Sequence, residues 1–236
     1  MNYLDLAILI IFGLFILHSY YKGFLISVFG VASFFISWLM ATFFSPMAAA
    51  KIFSYENLTN MMLYYTEGSE KIQNIEFARL NVAGLSADQL DQIIASSDLN
   101  PPLDDLIRAN ISGQAFKSIG LVDVGSYFNQ TIVNFTVNVV SFIIVFMIVR
   151  LLLALVIGCL DYLRIIPRLK HFDSLMGMGL GVVNSFFAVF VLFMLVPILL
   201  TVLPFPNVSD YINSSFSGTF FYNSNFLLSL IKGGMP

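Results

Sequence analysis

The chain has 236 residues, 58% hydrophobic and only 11% charged, where a soluble domain carries about 25% charged residues. So little charge cannot wet a globule of this size, so the apolar excess must face lipid, and the net charge of −3 gives no sign of a nucleic-acid partner. The single cysteine, Cys159, excludes an intrachain disulfide and a multi-cysteine metal site; in its apolar run it reads as a small hydrophobe.

A helix crossing the hydrocarbon core needs roughly 17–25 mostly apolar residues, and the chain predicts four such spans. The first, 3–20, has Asp5 and His18 near its ends, with Tyr3, Tyr20 and Tyr21 placed as interfacial anchors. It lacks a basic n-region, and Lys22 follows the apolar stretch, so a retained span is expected rather than a cleaved signal. The second, 23–44, holds no charge. Only Tyr21 and Lys22 separate the two, which predicts a tight hairpin over 1–44. Within it Ser33, Ser37 and Ala41 recur at intervals of four, and Gly23, Ser27 and Gly30 line a neighbouring stripe.

Segment 45–130 alone has soluble-protein composition, acidic on balance. Ser86-Ala87-Asp88-Gln89 reads as a capping box opening a short helix, with Leu90, Ile93 and Ile94 on one face. Asn100-Pro101-Pro102 should stop it and start the next, through Leu103, Leu106 and Ile107. Acid pairs such as Asp88–Asp91 and Asp104–Asp105 read as solvated helix faces rather than cation sites. Asn-x-Ser/Thr matches such as those at Asn57, Asn110, Asn129 and Asn213 are weak signals in a chain rich in Asn and Ser.

A second hairpin is expected over 131–203, with spans 132–160 and 175–203. The third span places Asn134, Asn138 and Ser141 on one helix face and carries a single charge, Arg150. Arg150 lies eleven positions before Asp161, about 16 Å along a helix. A charge at that depth costs at least ~2.5–3.5 kcal/mol unless it snorkels or faces a wet interior. It reads either as an anchor for an anion or polar network, or as a snorkelling residue; the second is favoured slightly, because no acid inside a span offers a partner. With Asn134, Asn138 and Ser141 it forms the candidate intramembrane polar site. The fourth span opens on Gly177-Met178-Gly179-Leu180-Gly181, a small-xxx-small spacing that lets backbones approach. Gly23, Gly30, Gly177 and Gly181 are the helix-packing candidates, for packing within the four-helix unit ahead of a homodimer seam. The aromatic tail, 204–236, is too short in its apolar run 226–231 to span, and an interfacial position is expected.

Lys22 in one short loop and Arg164, Arg168 and Lys170 in the other place both loops in the cytoplasm. Both termini and segment 45–130 then lie outside. No Gly-x-Ser-x-Gly or His-Glu-x-x-His motif is present, and His18 and His171 are the only histidines, too few for a histidine-rich metal site. The reading is an all-α polytopic membrane protein, not an enzyme, with no catalytic residues, metal or cofactor.

Three stretches together resemble the CvpA family, the colicin V production proteins, in a long form with an extended loop between spans two and three. One is Asp5 with Lys22-Gly23-Phe24 and Gly30. Another is Pro167-Arg168-Leu169-Lys170, Asp173, Gly177 and Gly181, and Arg150 matches a basic residue often seen in the family's third span. The last is Asn213-Ser214-Ser215-Phe216 through Phe221-Tyr222-Asn223. Ser174 and Asn184 stand where the family often carries basic residues. The resemblance implies a bacterial plasma (inner) membrane protein that supports bacteriocin production or export and envelope homeostasis. Its partners would be membrane lipids and either a second copy or an export component. The alternative is a small transporter or channel subunit with a polar path along the third span.

Overall fold

The computed structural model describes residues 2–162, 173–202 and 208–231. In chain order its α-helices are α1 (Tyr3–Lys22), α2 (Phe24–Phe53), α3 (Glu56–Thr66), α4 (Ile75–Ala78), α5 (Ala87–Ala95) and α6 (Leu103–Ser112). There follow α7 (Val124–Tyr162), α8 (Asp173–Phe193), α9 (Val196–Thr201), α10 (Val208–Asn213) and α11 (Phe216–Asn223). No strand occurs among the described residues; two isolated antiparallel bridges join Ile72 to Ser97 and Asn81 to Asp123. Four segments, Tyr3–Lys22, Phe24–Phe53, Val124–Tyr162 and Asp173–Thr201, are long and apolar enough to cross a membrane. The chain is thus an all-α polytopic membrane protein. The basic residues Arg164, Arg168 and Lys170, with His171, lie outside the described residues, as do Pro204 and Phe205.

Two helices exceed their expected bounds. The second span is expected over 23–44, yet α2 continues through Pro46 to Phe53. Proline is tolerated there because it removes only one ladder bond, and the turns beyond it have a core to enter. Ala49, Val133 and Val137 are buried together, with Ile52, Phe53, Met62 and Leu63 packed on them. The longer α7 starts at Val124 rather than 132 because Asp123 caps it, accepting from the Ser126 N–H at 2.8 Å and its hydroxyl at 2.7 Å. The polar run that reads as loop is absorbed by neighbours. Asn129 accepts from the Gly68 N–H at 3.1 Å and donates to the Leu63 carbonyl at 2.8 Å, while Thr131 accepts from the Asn110 amide at 2.9 Å.

The chain divides into two compact units. One comprises Pro46–Ser141, Pro197–Pro206 and Leu228–Pro236. Its short helices are amphipathic, as read from the sequence. Ser86 and Gln89 form the capping box that opens α5, and Leu90, Ile93 and Ile94 are buried. On α6, Leu103, Ile107 and Ile111 are buried, and Arg108 pairs with Asp91 of α5. Along α7 this unit extends to Ser141, and the first turns of α7 are bonded to these helices.

The other unit comprises Met1–Ser45, Phe142–Val196 and Asn207–Leu227. Here α1 runs against α8 through two glycines. A Cβ on Gly177 would stand 2.6 Å from the Ser19 carbonyl oxygen, and one on Gly181 2.9 Å from the Ile16 Cα. Side chains are excluded at both positions, so the small-xxx-small spacing serves packing within the chain. Most of the tail belongs to this unit instead of standing apart. Phe221 of α11 is buried, with ring centroids of Phe12, Phe190 and Phe193 at 6.2, 5.1 and 5.8 Å, although Phe216 and Phe220 stay exposed.

Candidate functional site

The transmembrane unit encloses a cleft of about 320 Å³ between α1, α2, α7 and α8. Its α7 wall is set by periodicity. Eleven residues make three helical turns with about 20° to spare, so Arg150 and Asp161 share a face, with Ala154, Ile157 and Gly158 between them. All five line the cleft. Met147, Leu151, Leu152, Leu155 and Val156 are exposed on the rest of the helix, suited to lipid.

Lys22 and Asp161 form an ion pair at 3.0 Å, half-exposed, at the ends of α1 and α7. Arg150 does not snorkel along α7 towards that end. Its Nη1 donates to the Gly30 carbonyl at 2.6 Å and to the Ser33 hydroxyl, both on α2. Ser33 can serve because its own hydroxyl proton goes to the Gly30 carbonyl, at 2.9 Å. The Gly30 carbonyl thus receives both the Ser33 hydroxyl proton and an Arg150 N–H. Asn184 of α8 is buried beside Gly30, where an added Cβ would lie 3.2 Å from the Asn184 amide nitrogen. Its Oδ1 has no hydrogen-bond partner among the described residues. His18 and Ser19 of α1 complete the polar lining.

Of the residues singled out by sequence, the structure gathers Arg150 and Gly30 into this cleft. Gly23 and Gly177 meet at the α1–α8 seam, where a Cβ on Gly177 would lie 3.1 Å from the Gly23 carbonyl carbon. Asn134, Asn138 and Ser141 do not line the cleft and belong to the other unit. Asn134 accepts from Gln130 at 2.8 Å, Asn138 is half-buried, and the buried Ser141 hydroxyl has no hydrogen-bond partner among the described residues. Lys22, Asp161, Ser33 and Asn184 escaped the sequence reading as site residues. The three-turn spacing of Arg150 and Asp161 was a usable signal for Asp161; Asn184 was marked only as a departure from the family's pattern.

The separate motifs also meet one another. Gly23 adopts φ +83° and ends α1, and the next N–H, of Phe24, donates to the Asp173 carboxylate at 2.9 Å. That carboxylate caps the free N-terminus of α2, joining the first turn of the hairpin to the start of α8. At the opposite end of α1, Asp5 accepts from the Ser215 hydroxyl at 2.7 Å, from the Ser217 N–H at 3.1 Å and from the Ser217 hydroxyl. Asn2 donates to the Tyr211 carbonyl at 2.7 Å and to the Ser214 hydroxyl at 3.0 Å. Residues more than two hundred positions apart are thereby tied into one unit.

No curated protein and no solved structure matches the chain. A family model described as Colicin V production protein matches residues 4–79 and 93–225, a range that takes in Asp5, the Gly23 turn, Arg150, the Asp173 cap, both seam glycines and the serines that hold Asp5. With that match over most of its length, the chain belongs to the family of colicin V production proteins.

Proposed function

We propose that this protein is a non-enzymatic component of the bacterial inner membrane, supporting toxin export and envelope homeostasis through helix contacts with lipids and with an export component or a second copy. Its termini and the unit rich in short helices lie outside; its two short loops face the cytoplasm. The observation that carries the reading is the convergence of the motif residues. Asp5, Gly23, Asp173, Gly177 and Gly181 act in holding one transmembrane unit together, around a cleft with Arg150 inside it. Residues used in this way serve a scaffold and its cleft.

The test is deletion in a native host that secretes a colicin V-like toxin. Secreted toxin should fall and sensitivity to envelope stress should rise, with both restored by the wild-type chain. Unchanged secretion together with unchanged sensitivity would sink the proposal. A second reading, a small transporter or channel subunit, is favoured by the buried polar face of α7, where the Asn134 amide nitrogen and Ser141 hydroxyl lack hydrogen-bond partners among the described residues. Proteoliposomes without solute flux, and cells indifferent to Arg150→Ala, would dismiss it.

A further inference from the structure

Arg150 brings a full positive charge into an apolar span, yet both groups that receive its Nη1 protons are neutral: the Gly30 carbonyl and the Ser33 hydroxyl. A guanidinium has five N–H donors in a planar fork. The two bonds that hold it use Nη1. The one acid lining the same cleft, Asp161, pairs with Lys22 at 3.0 Å and stands about 16 Å along α7 from Arg150. Even half-buried, a charge in an apolar span without a counter-charge is costly, and an oxyanion meeting the guanidinium fork is the arrangement that best offsets it.

A second, independent group points into the same space. Asn184 is only 7% exposed and lines the cleft, and its Oδ1 has no hydrogen-bond partner among the described residues. An amide presents both a carbonyl and two N–H donors and can turn either towards a ligand. It can therefore donate to an oxyanion or accept from its acid hydroxyl. Space is available: about 320 Å³ is roughly ten times the ~30 Å³ share of one water. The α7 rim is low, since Ala154 and Gly158 are small and exposed.

We infer that this cleft binds a phosphate group, with Arg150 as its counter-charge and Asn184 as its neutral partner. The phosphate is either a soluble ion or the headgroup of an anionic lipid. The inference rests on reading the cleft as the working part of the transmembrane unit, and names what it holds.

The test uses the full chain purified in a neutral detergent, with thermal unfolding as the readout. Sodium phosphate is titrated against chloride at constant ionic strength; in a separate arm, phosphatidylglycerol is doped into the micelles against phosphatidylcholine. A saturable rise in Tm with phosphate supports the inference and assigns a soluble ion. A saturable rise with phosphatidylglycerol, but not with phosphate, supports it and assigns a lipid headgroup. In either case Arg150→Gln should raise the half-saturating concentration about tenfold or more, the loss expected for a charge-assisted contact. Should Arg150→Gln fail to fold, Ala154→Leu narrows the cleft while leaving the guanidinium in place, and should weaken binding likewise. No saturable rise in either arm would overturn the inference, as would equal rises with both lipids or binding unaltered in the variants. Binding is read on purified protein and toxin secretion in the host, so failure of one is distinguishable from failure of the other.

Discussion

Gly177, Gly179 and Gly181 sit at alternate positions over little more than one turn of α8, but a methyl group would not meet the same surroundings at all three. At Gly177 and Gly181 it would strike the α1 backbone at 2.6 and 2.9 Å, and at Gly179 it would find nothing within 4 Å. Backbone cannot yield as a flexible side chain does. Gly177→Ala and Gly181→Ala are therefore expected to lower the Tm in detergent, by overpacking worth about 1–3 kcal/mol each. Gly179→Ala should be neutral or slightly stabilising, since a helical glycine costs roughly 0.5–1 kcal/mol against alanine. Equal losses at all three positions would refute a seam built on Gly177 and Gly181. The small-xxx-small spacing already singled out Gly177 and Gly181 as the packing pair; that their partner is the α1 backbone was not legible, because that depends on the rotation of α8 about its axis against α1. Arg150 was likewise visible as an anomaly. Its acceptors were not, because Gly30 contributes a carbonyl, and backbone groups leave no mark in a sequence.

At the scale of elements, α11 is held to α1 by polar bonds to Asp5 and Asn2 as well as by Phe221. Asp5→Ala removes the acceptor for the Ser215 and Ser217 hydroxyls and the Ser217 N–H. Faster proteolytic cleavage between α10 and α11 is expected, with the rest of the chain protected; an unchanged cleavage pattern would show that the aromatic contacts suffice. In the other unit Ile107 of α6 is fully buried, and Ile107→Ala should cost about 2–5 kcal/mol, read as a lower unfolding midpoint. The amphipathic helices α5 and α6 were plain from capping residues and apolar spacing, since both signals are local. The ends of α2 and α7 were not. Spans bounded at 44 and 132 lengthen once Ala49 is seen in a core and Asn129 is seen bonded to Gly68 and Leu63.

For the whole molecule, orientation is the feature most open to direct measurement. In a Cys159→Ser background, Gln73→Cys, exposed between α3 and α4, is expected to react with an impermeant maleimide on intact cells if that segment lies outside. Tyr162→Cys, exposed at the end of α7, is expected to react only after permeabilisation. The reverse pattern would refute the positive-inside assignment of Lys22, Arg164, Arg168 and Lys170. The sequence by itself determined the class of this protein, its four spans and its family motifs, because hydrophobic length, capping residues and short motifs are written within a few turns of chain. Only the tertiary structure decided that the tail packs with the transmembrane unit, that Asp173 caps α2, and that Arg150 shares a cleft with Asn184. Those contacts join residues tens to hundreds of positions apart, and helix rotation and backbone acceptors, rather than residue type, select them.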